Sequence, residues 1–413
     1  MKTASSSKNE KLTRAVFSIL YIAMYASRIL VISQVIQSSV LTVCIQLLYL
    51  GYVALLWLVD LRNGCYQPTA FSIFVVLMVL HLLLFGFLFV NPAMPSGLSL
   101  APTSGLFLLV IVFTAWYVRS RDISLQLASM CFYVLGTVLV LQMILHPADI
   151  NLSGLHVLFS AEGRTRSVFG FGHPNTLGGM CVALFMMYLY RLAADNAREL
   201  ILLRYLDYIL LAISAVMLLC SASRSSIIAL CLLLASWVVG SLSLNADSGK
   251  VASRIAATCV VVAVLNIALG NIDSTNAQFL INQSNRNWLF EYAIPALLYS
   301  GRVLVGLGYV SNAAYGEGLT PYRTLWLDNG YIYYLVATGF LGLVIILAAL
   351  FVLFGSALKN AHGRKRIFVL AVMVTYLFMG LFEDVILNGN PMNYFLIPVL
   401  LSMIPRTLPD KKR

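Results

Sequence analysis

Asn285-Arg286-Asn287-Trp288-Leu289-Phe290-Glu291-Tyr292 and, further along, Trp326-Leu327-Asp328-Asn329-Gly330-Tyr331 belong to a stretch, residues 271–329, in which the hydrophobicity of the chain lapses. The same stretch carries Asp273, Arg302, Glu317 and Arg323, with Gly301, Gly306, Gly308, Gly316 and Gly318 between them. A loop of this length is uncommon and is usually functional. One piece, Trp288–Ser300, has a helical pattern and suits a helix lying along a membrane surface. On either side, the sequence returns to apolar runs of helix length.

Those runs decide the class. With 60% hydrophobic and only 10% charged residues among 413, a soluble domain is excluded. A bilayer core of roughly 30 Å needs about 20 apolar residues per helix. Such segments are expected near 15–33, 40–59, 70–90, 103–118, 123–145, 174–190, 205–220, 225–244, 251–270, 329–357, 367–387 and 391–405. The expected fold is therefore an all-α integral membrane protein of about 12 transmembrane helices, with a large outward-facing loop containing short helices. Residues 1–145 read as scaffold helices and 146–270 as helices joined by arginine-bearing outer loops. Residues 271–328 form the large loop, and 329–413 the last helices with a basic tail. The first apolar run lacks a small-residue cleavage site and reads as a retained first helix.

The net charge of +11 fits the excess of cations that holds membrane helices on the cytoplasmic side, so no nucleic-acid partner is expected. Placing the N-terminus in the cytoplasm brings Arg62, Arg119, Arg121, Arg191, Arg198, Arg204, Lys250, Arg254, Lys359, Arg364, Lys365, Arg366 and the tail to that side. The outer side receives Arg164, Arg166, Arg224, Arg286, Arg302 and Arg323. All lysines thus fall inside, and every outer cation is an arginine. Arginine offers a planar fork that grips phosphate or carboxylate oxygens bidentately and stays charged when partly buried. The seven cysteines sit mostly in apolar runs without metal-ligand spacing and read as small core residues. Arg28 stands within the first span, where a cation either faces a polar interior or snorkels to an interface.

Three outer segments carry the chemistry. The first ends Glu162-Gly163-Arg164-Thr165-Arg166-Ser167-Val168-Phe169-Gly170-Phe171-Gly172-His173-Pro174-Asn175. Arginines two apart project to one side of an extended segment. The glycines permit close approach to a ligand. Pro174 suits the first turn of a helix capped by His173 or a neighbour, whose free N–H groups would face the loop. The second is the small-residue turn Ser221-Ala222-Ser223-Arg224-Ser225-Ser226, and the third is the long loop ending at Asp328-Asn329. There, either Asp328 or Asn329 caps the next span, or Asp328 is a functional carboxylate at the membrane boundary. Glu383-Asp384 forms a second acidic spot near the outer end of the eleventh span.

Taken in order, Arg166-x3-Gly170-x2-His173-Pro174-Asn175, Ser223-Arg224, Arg286-x-x-Leu289-Phe290, Gly306-Leu307-Gly308, Asp328-Asn329-Gly330-Tyr331 and Gly339-Phe340-Leu341-Gly342 resemble the O-antigen ligase/polymerase superfamily of bacterial membrane glycosyltransferases. The resemblance covers about Gly163 to Gly342. It implies a GT-C-like, metal-independent enzyme of the bacterial cytoplasmic (inner) membrane, without cofactor. Its termini would be cytoplasmic and its active site extracytoplasmic. Donor and acceptor would both be glycans linked to undecaprenyl pyrophosphate, with a flippase and a chain-length regulator as partners. Ligases of the superfamily place a His-Asn pair where this chain has Asp328-Asn329, and Wzy-type polymerases often have Asp-Asn there. The resemblance therefore favours a polymerase making O antigen, capsule or exopolysaccharide over a ligase acting on lipid A core. A transporter of lipid-linked sugars is the reading from another class. Transporters place their charged sites near the midplane, often in inverted repeats, and no such repeat is evident here.

The expected catalytic residues are Asp328 as general base, with Arg166, Arg224 and Arg286 stabilising the departing pyrophosphate. His173 and Glu291 are reserve bases. Arg302 and Arg323 are expected to hold the second lipid's pyrophosphate. Arg164, Asn175, Asn329 and Tyr331 complete the expected substrate-binding set.

Overall fold

The computed structural model describes residues 4–62, 69–93, 100–153, 165–194, 201–242, 292–310 and 327–404. Among them the regular elements are helices, in the order α1 (Ala4–Ile32), α2 (Ser39–Arg62), α3 (Thr69–Leu83), α4 (Ala101–Arg121), α5 (Ser124–Leu145), α6 (Pro174–Ala194), α7 (Ile201–Ser221), α8 (Arg224–Leu242), α9 (Ile294–Tyr299), α10 (Gly330–Asn360), α11 (Gly363–Gly380) and α12 (Pro391–Ser402). Nine of these, α1 to α8 and α10, are long and apolar enough to cross a membrane, α3 together with its π-helical continuation Leu84–Leu88. Their outward faces are as apolar as their packed ones: Leu47, Leu48 and Leu55 on α2, and Leu202 and Ile209 on α7, are exposed. Water would penalise such faces, whereas hydrocarbon does not. The protein is an all-helical, multi-pass membrane protein.

The expected span 251–270 lies outside the described residues, as does most of the expected loop, of which 292–310 and 327–328 are described. The helical piece expected at Trp288–Ser300 appears, in its described part, as the short helix α9. The span expected at 367–387 ends instead at Gly380. Beyond it the amides of Leu381, Phe382 and Glu383 turn back onto the carbonyls of Phe378 and Met379. An irregular segment, 381–390, then leads to α12.

α12 lies at the centre of the bundle, packed against α1, α4, α5, α6 and α10. Every residue from Pro391 to Leu401 is buried. At twelve residues it is only about 18 Å long, well short of a hydrocarbon core of roughly 30 Å. The 381–390 segment is irregular backbone that needs partners for its carbonyls. Side chains from several helices supply them. Tyr334 OH donates to Ile386 O at 3.0 Å, and Asn393 Nδ2 to Val385 O at 2.8 Å and Asn388 O at 2.9 Å. Tyr376 OH takes the Leu387 N–H at 2.8 Å. Arg28 settles its open question here. Its Nη2 donates to Gly389 O at 3.0 Å while the guanidinium lies 5.8 Å from the Tyr394 ring centre, so it faces the protein interior.

α10 is broken at Gly339, whose φ of 66° and ψ of −170° are not helical. The break is spliced by residues 303–308. Leu307 N and Gly308 N donate to Val336 O (2.8 Å) and Ala337 O (3.1 Å), while Phe340 N and Leu341 N donate to Val303 O (2.9 Å) and Leu304 O (3.1 Å). The four backbone groups freed by the kink thus all find protein partners, as apolar surroundings demand. Gly306 and Gly339 permit this approach: a Cβ on Gly306 would collide with the backbone at Ala337, and one on Gly339 with the backbone at Leu304. The Gly306-Leu307-Gly308 and Gly339-Phe340-Leu341-Gly342 motifs therefore meet each other. Gly306 and Gly339 serve backbone-to-backbone contact, whereas Gly342 faces the Thr338 side chain.

Candidate functional site

The site is built where the N-termini of α6, α8 and α10 come together. The segment before α6 is extended at Ser167, whose N–H donates to Cys220 O at the end of α7 (3.1 Å). It then turns through Phe169 (φ 44°), Gly170 (φ 77°) and Gly172 (φ 63°). Phe169 and Phe171 are buried and anchor the turn, and the Phe169 N–H donates to Asp149 Oδ2 at 2.7 Å. The turn explains the glycines. A Cβ on Gly170 would lie 2.8 Å from Gln142 Oε1 and 2.9 Å from His146 Nε2, so the close approach there is to the protein itself.

His173 precedes Pro174, the first residue of α6, and its Nδ1 accepts the Asn175 N–H at 3.2 Å, capping the helix through a ring nitrogen. Asn175 is a hub. Its Oδ1 accepts from Arg166 Nη2 and from Ser223 Oγ, the latter at 3.1 Å. Arg166 Nε also points at Ser221 O, at 3.5 Å. The α7–α8 turn is tightened by Ala222 in the left-handed region (φ 45°) and by Ser221 Oγ, which accepts the Ser223 N–H at 3.3 Å. Ser223 Oγ and Ser226 Oγ also lie 3.0 Å apart. α6 and α8 approach closely because Gly178 faces Ser226.

Arg224 is the first residue of α8. A cation at a helix N-terminus opposes the macrodipole, so helix stability does not account for it. Next to it, Ser225 Oγ donates to Glu383 Oε1 at 2.9 Å, which ties the 381–390 segment to this corner. Asn329 begins α10: its Oδ1 accepts from Tyr331 N and Ile332 N, both at 3.0 Å, and its Nδ2 donates to Leu381 O at 2.9 Å. Of the two capping candidates, Asn329 is the cap. Asp328 is half-buried beside the fully buried Leu327.

Electrostatics connect these pieces. Partial loss of solvent, then the Arg166 charge, hold His173 below its ordinary value, while the Asp328 carboxylate acts in the opposite direction. Arg166, His173 and Asp328 therefore share one neighbourhood, although 155 positions separate His173 from Asp328.

The expected residues divide three ways. Arg166, His173, Asn175, Asp328 and Asn329 come together, with Arg224 at the adjoining helix start. Arg302 is engaged elsewhere: Nε donates to Gly306 O (2.7 Å) and Nη2 to Phe89 O (2.8 Å), so it braces the splice into α10. Two of the five guanidinium N–H groups are thus given to backbone carbonyls of the protein itself. Tyr331 OH likewise donates to Leu377 O at 3.1 Å, joining α10 to α11. Arg164, Arg286, Glu291 and Arg323 lie outside the described residues. The structure adds Ser223, Ser225 and Glu383. Their sequence signal was a serine-rich turn and a carboxylate in an otherwise apolar run; neither named its partner. Among the described residues no group of three or more His, Cys, Asp or Glu side chains is arranged to hold a metal ion. Compared with known proteins, the chain matches no family model and no curated protein.

Proposed function

We propose that this chain is a membrane glycosyltransferase that polymerises oligosaccharide repeat units carried on undecaprenyl pyrophosphate, at the outer face of a bacterial cytoplasmic membrane. The reading includes a GT-C-like bundle of about twelve spans with both termini in the cytoplasm. Support comes from the order of the short motifs and from one observation above all. Arg166 and Asp328, drawn from the first and last of the outer segments, both act on His173.

The reaction is displacement at an anomeric carbon. Asp328 takes the proton of the acceptor hydroxyl, whose oxygen forms the new bond to that carbon. The bond from the anomeric carbon to the pyrophosphate oxygen breaks, and its electron pair leaves with the lipid pyrophosphate. Arg166 and Arg224, with Arg286 outside the described residues, stabilise the departing charge in a site arranged beforehand. Loss of one such contact lowers the rate by roughly 10²–10³.

The test is the size distribution of lipid-linked and surface glycan in a strain lacking this protein, complemented with wild type, Arg224→Ala or Asp328→Asn at verified expression. Single repeat units accumulating with each variant support the reading. Long polymer stranded on the lipid carrier would assign a ligase, and repeat units trapped inside the cell a transporter. An unchanged ladder with Arg224→Ala would remove the arginine from the mechanism.

A further inference from the structure

The sequence offers His173 as a reserve base, but its geometry points elsewhere. A neutral imidazole has one nitrogen that accepts and one that carries the proton. In His173 the accepting nitrogen is Nδ1, because a backbone N–H, that of Asn175, points at it from 3.2 Å. The Asn175 amide cannot be turned away, since Pro174 and Asn175 are the first two residues of α6 and the peptide plane is set by the helix. The proton therefore resides on Nε2. The ring is exposed, and among the described residues no hydrogen bond reaches Nε2.

We infer that His173 serves the site as a fixed neutral hydrogen-bond donor, presenting Nε2–H to an oxygen of the bound substrate, and that it is not a general base. This rests on the proposed glycosyltransferase reading and adds a role to it. The surroundings agree. Arg166 faces the ring from the preceding segment and opposes a second positive charge, as does loss of solvent; Asp328, ahead of α10, favours one. Two further carboxylates belong to this corner: Asp149 accepts the Phe169 N–H, and Glu383 is held by Ser225 at the start of α8. A neutral donor at a helix N-terminus can polarise a phosphate or ring oxygen without giving up its proton. That suits the leaving pyrophosphate, whose negative charge grows during the reaction.

Two substitutions separate the roles. Asn is among the best N-cap residues, so His173→Asn keeps the accepting atom near the Nδ1 position while removing the far N–H. His173→Gln extends an amide N–H toward the Nε2 position and weakens the cap. The expected result in the complemented strain is that His173→Asn keeps the thermal unfolding midpoint of the purified protein but loses roughly 10²–10³ in polymer yield. His173→Gln is expected to retain more polymer than His173→Asn in spite of a lower midpoint. Full polymer with His173→Asn would reduce His173 to a helix cap. Equal loss with both variants, at equal folded protein, would return it to the role of base.

A second measurement needs no activity. Nitrogen-15 spectra of the detergent-solubilised protein, labelled in its five histidines and assigned by the His173→Asn spectrum, report the tautomer directly. Nε2–H neutral imidazole at pH 7 is expected. The Nδ1–H tautomer or imidazolium at that pH would overturn the inference. A normal glycan ladder in the strain lacking the protein would overturn the glycosyltransferase reading alone, leaving the tautomer result intact.

Discussion

Gly306→Ala tests the splice that closes the break in α10. Gly306 has φ 80°, a conformation costing an L side chain about 1–2 kcal/mol. The larger cost is steric. The added Cβ would fall on the carbonyl of Ala337 and the amide of Thr338, both backbone, so no side-chain rotation relieves it. The 303–308 segment must withdraw, which weakens four hydrogen bonds of 2.8–3.1 Å between it and α10. Each is worth about 0.5–1.5 kcal/mol net, with the cost rising where no water replaces the lost partner. The total is on the order of 5 kcal/mol, a large share of the roughly 5–15 kcal/mol that holds a typical domain folded. Gly355→Ala in the same helix is the control. No atom lies within 4 Å of its added Cβ, so alanine there should gain up to about 1 kcal/mol of helix propensity. Thermal unfolding in detergent, followed by survival of the monodisperse peak in size-exclusion chromatography, reads both. Gly306→Ala is expected to fall far below wild type and Gly355→Ala to match or exceed it. Equal midpoints for the two variants would refute the splice as a stabilising contact.

Two other outcomes follow from charges in the structure. Arg191 Nη1 lies 2.9 Å from Asp207 Oδ2 with the two side chains 4% and 3% exposed, and its guanidinium stacks on Phe132 and Tyr133. Arg191→Met should cost about 3–5 kcal/mol by stranding the carboxylate, and Arg191→Met with Asp207→Leu should recover most of it. Arg121→Met, breaking a more exposed pair with Asp60 at 3.3 Å, should cost about 0–1 kcal/mol in the same unfolding assay. The second outcome concerns pH. Because the folded state holds His173 below its ordinary value, the unfolded chain binds that proton first as pH falls. The His173 contribution to stability is whole above about pH 6.5 and is lost as pH drops through the lower folded value. The unfolding midpoint of His173→Asn should therefore decline less steeply with acidification than that of wild type, and parallel slopes would contradict this.

Much of the architecture was legible beforehand because membrane helices announce themselves locally. Each must be about 20 apolar residues long wherever it packs, so the spans at 40–59, 123–145 and 174–190 needed no knowledge of neighbours. Pro174 as a helix start, and a cap for the next span at Asp328 or Asn329, were readable for the same reason: each acts within three residues of itself, and the structure settled the cap on Asn329. The span expected at 367–387 ran too long because composition does not register where a helix stops when the following residues are also apolar. Gly380 ends it through turns whose stability depends on Tyr334, Asn393 and Arg28, all distant in sequence.

The sequence alone determined that this protein is a bundle of membrane helices with polar, charge-bearing segments between them. Hydrophobic length and helix-start chemistry are properties of short segments, so folding adds nothing to them. Only the tertiary structure decided which of those residues meet. It joined Asn175 to Arg166 and Ser223, and Ser225 to Glu383, and it set Arg302 against the carbonyls of Gly306 and Phe89. A guanidinium can grip a ligand phosphate or a carbonyl of its own chain with the same fork. Which of the two it finds depends on what the packing leaves within about 3 Å of it, and no local stretch of sequence contains that distance.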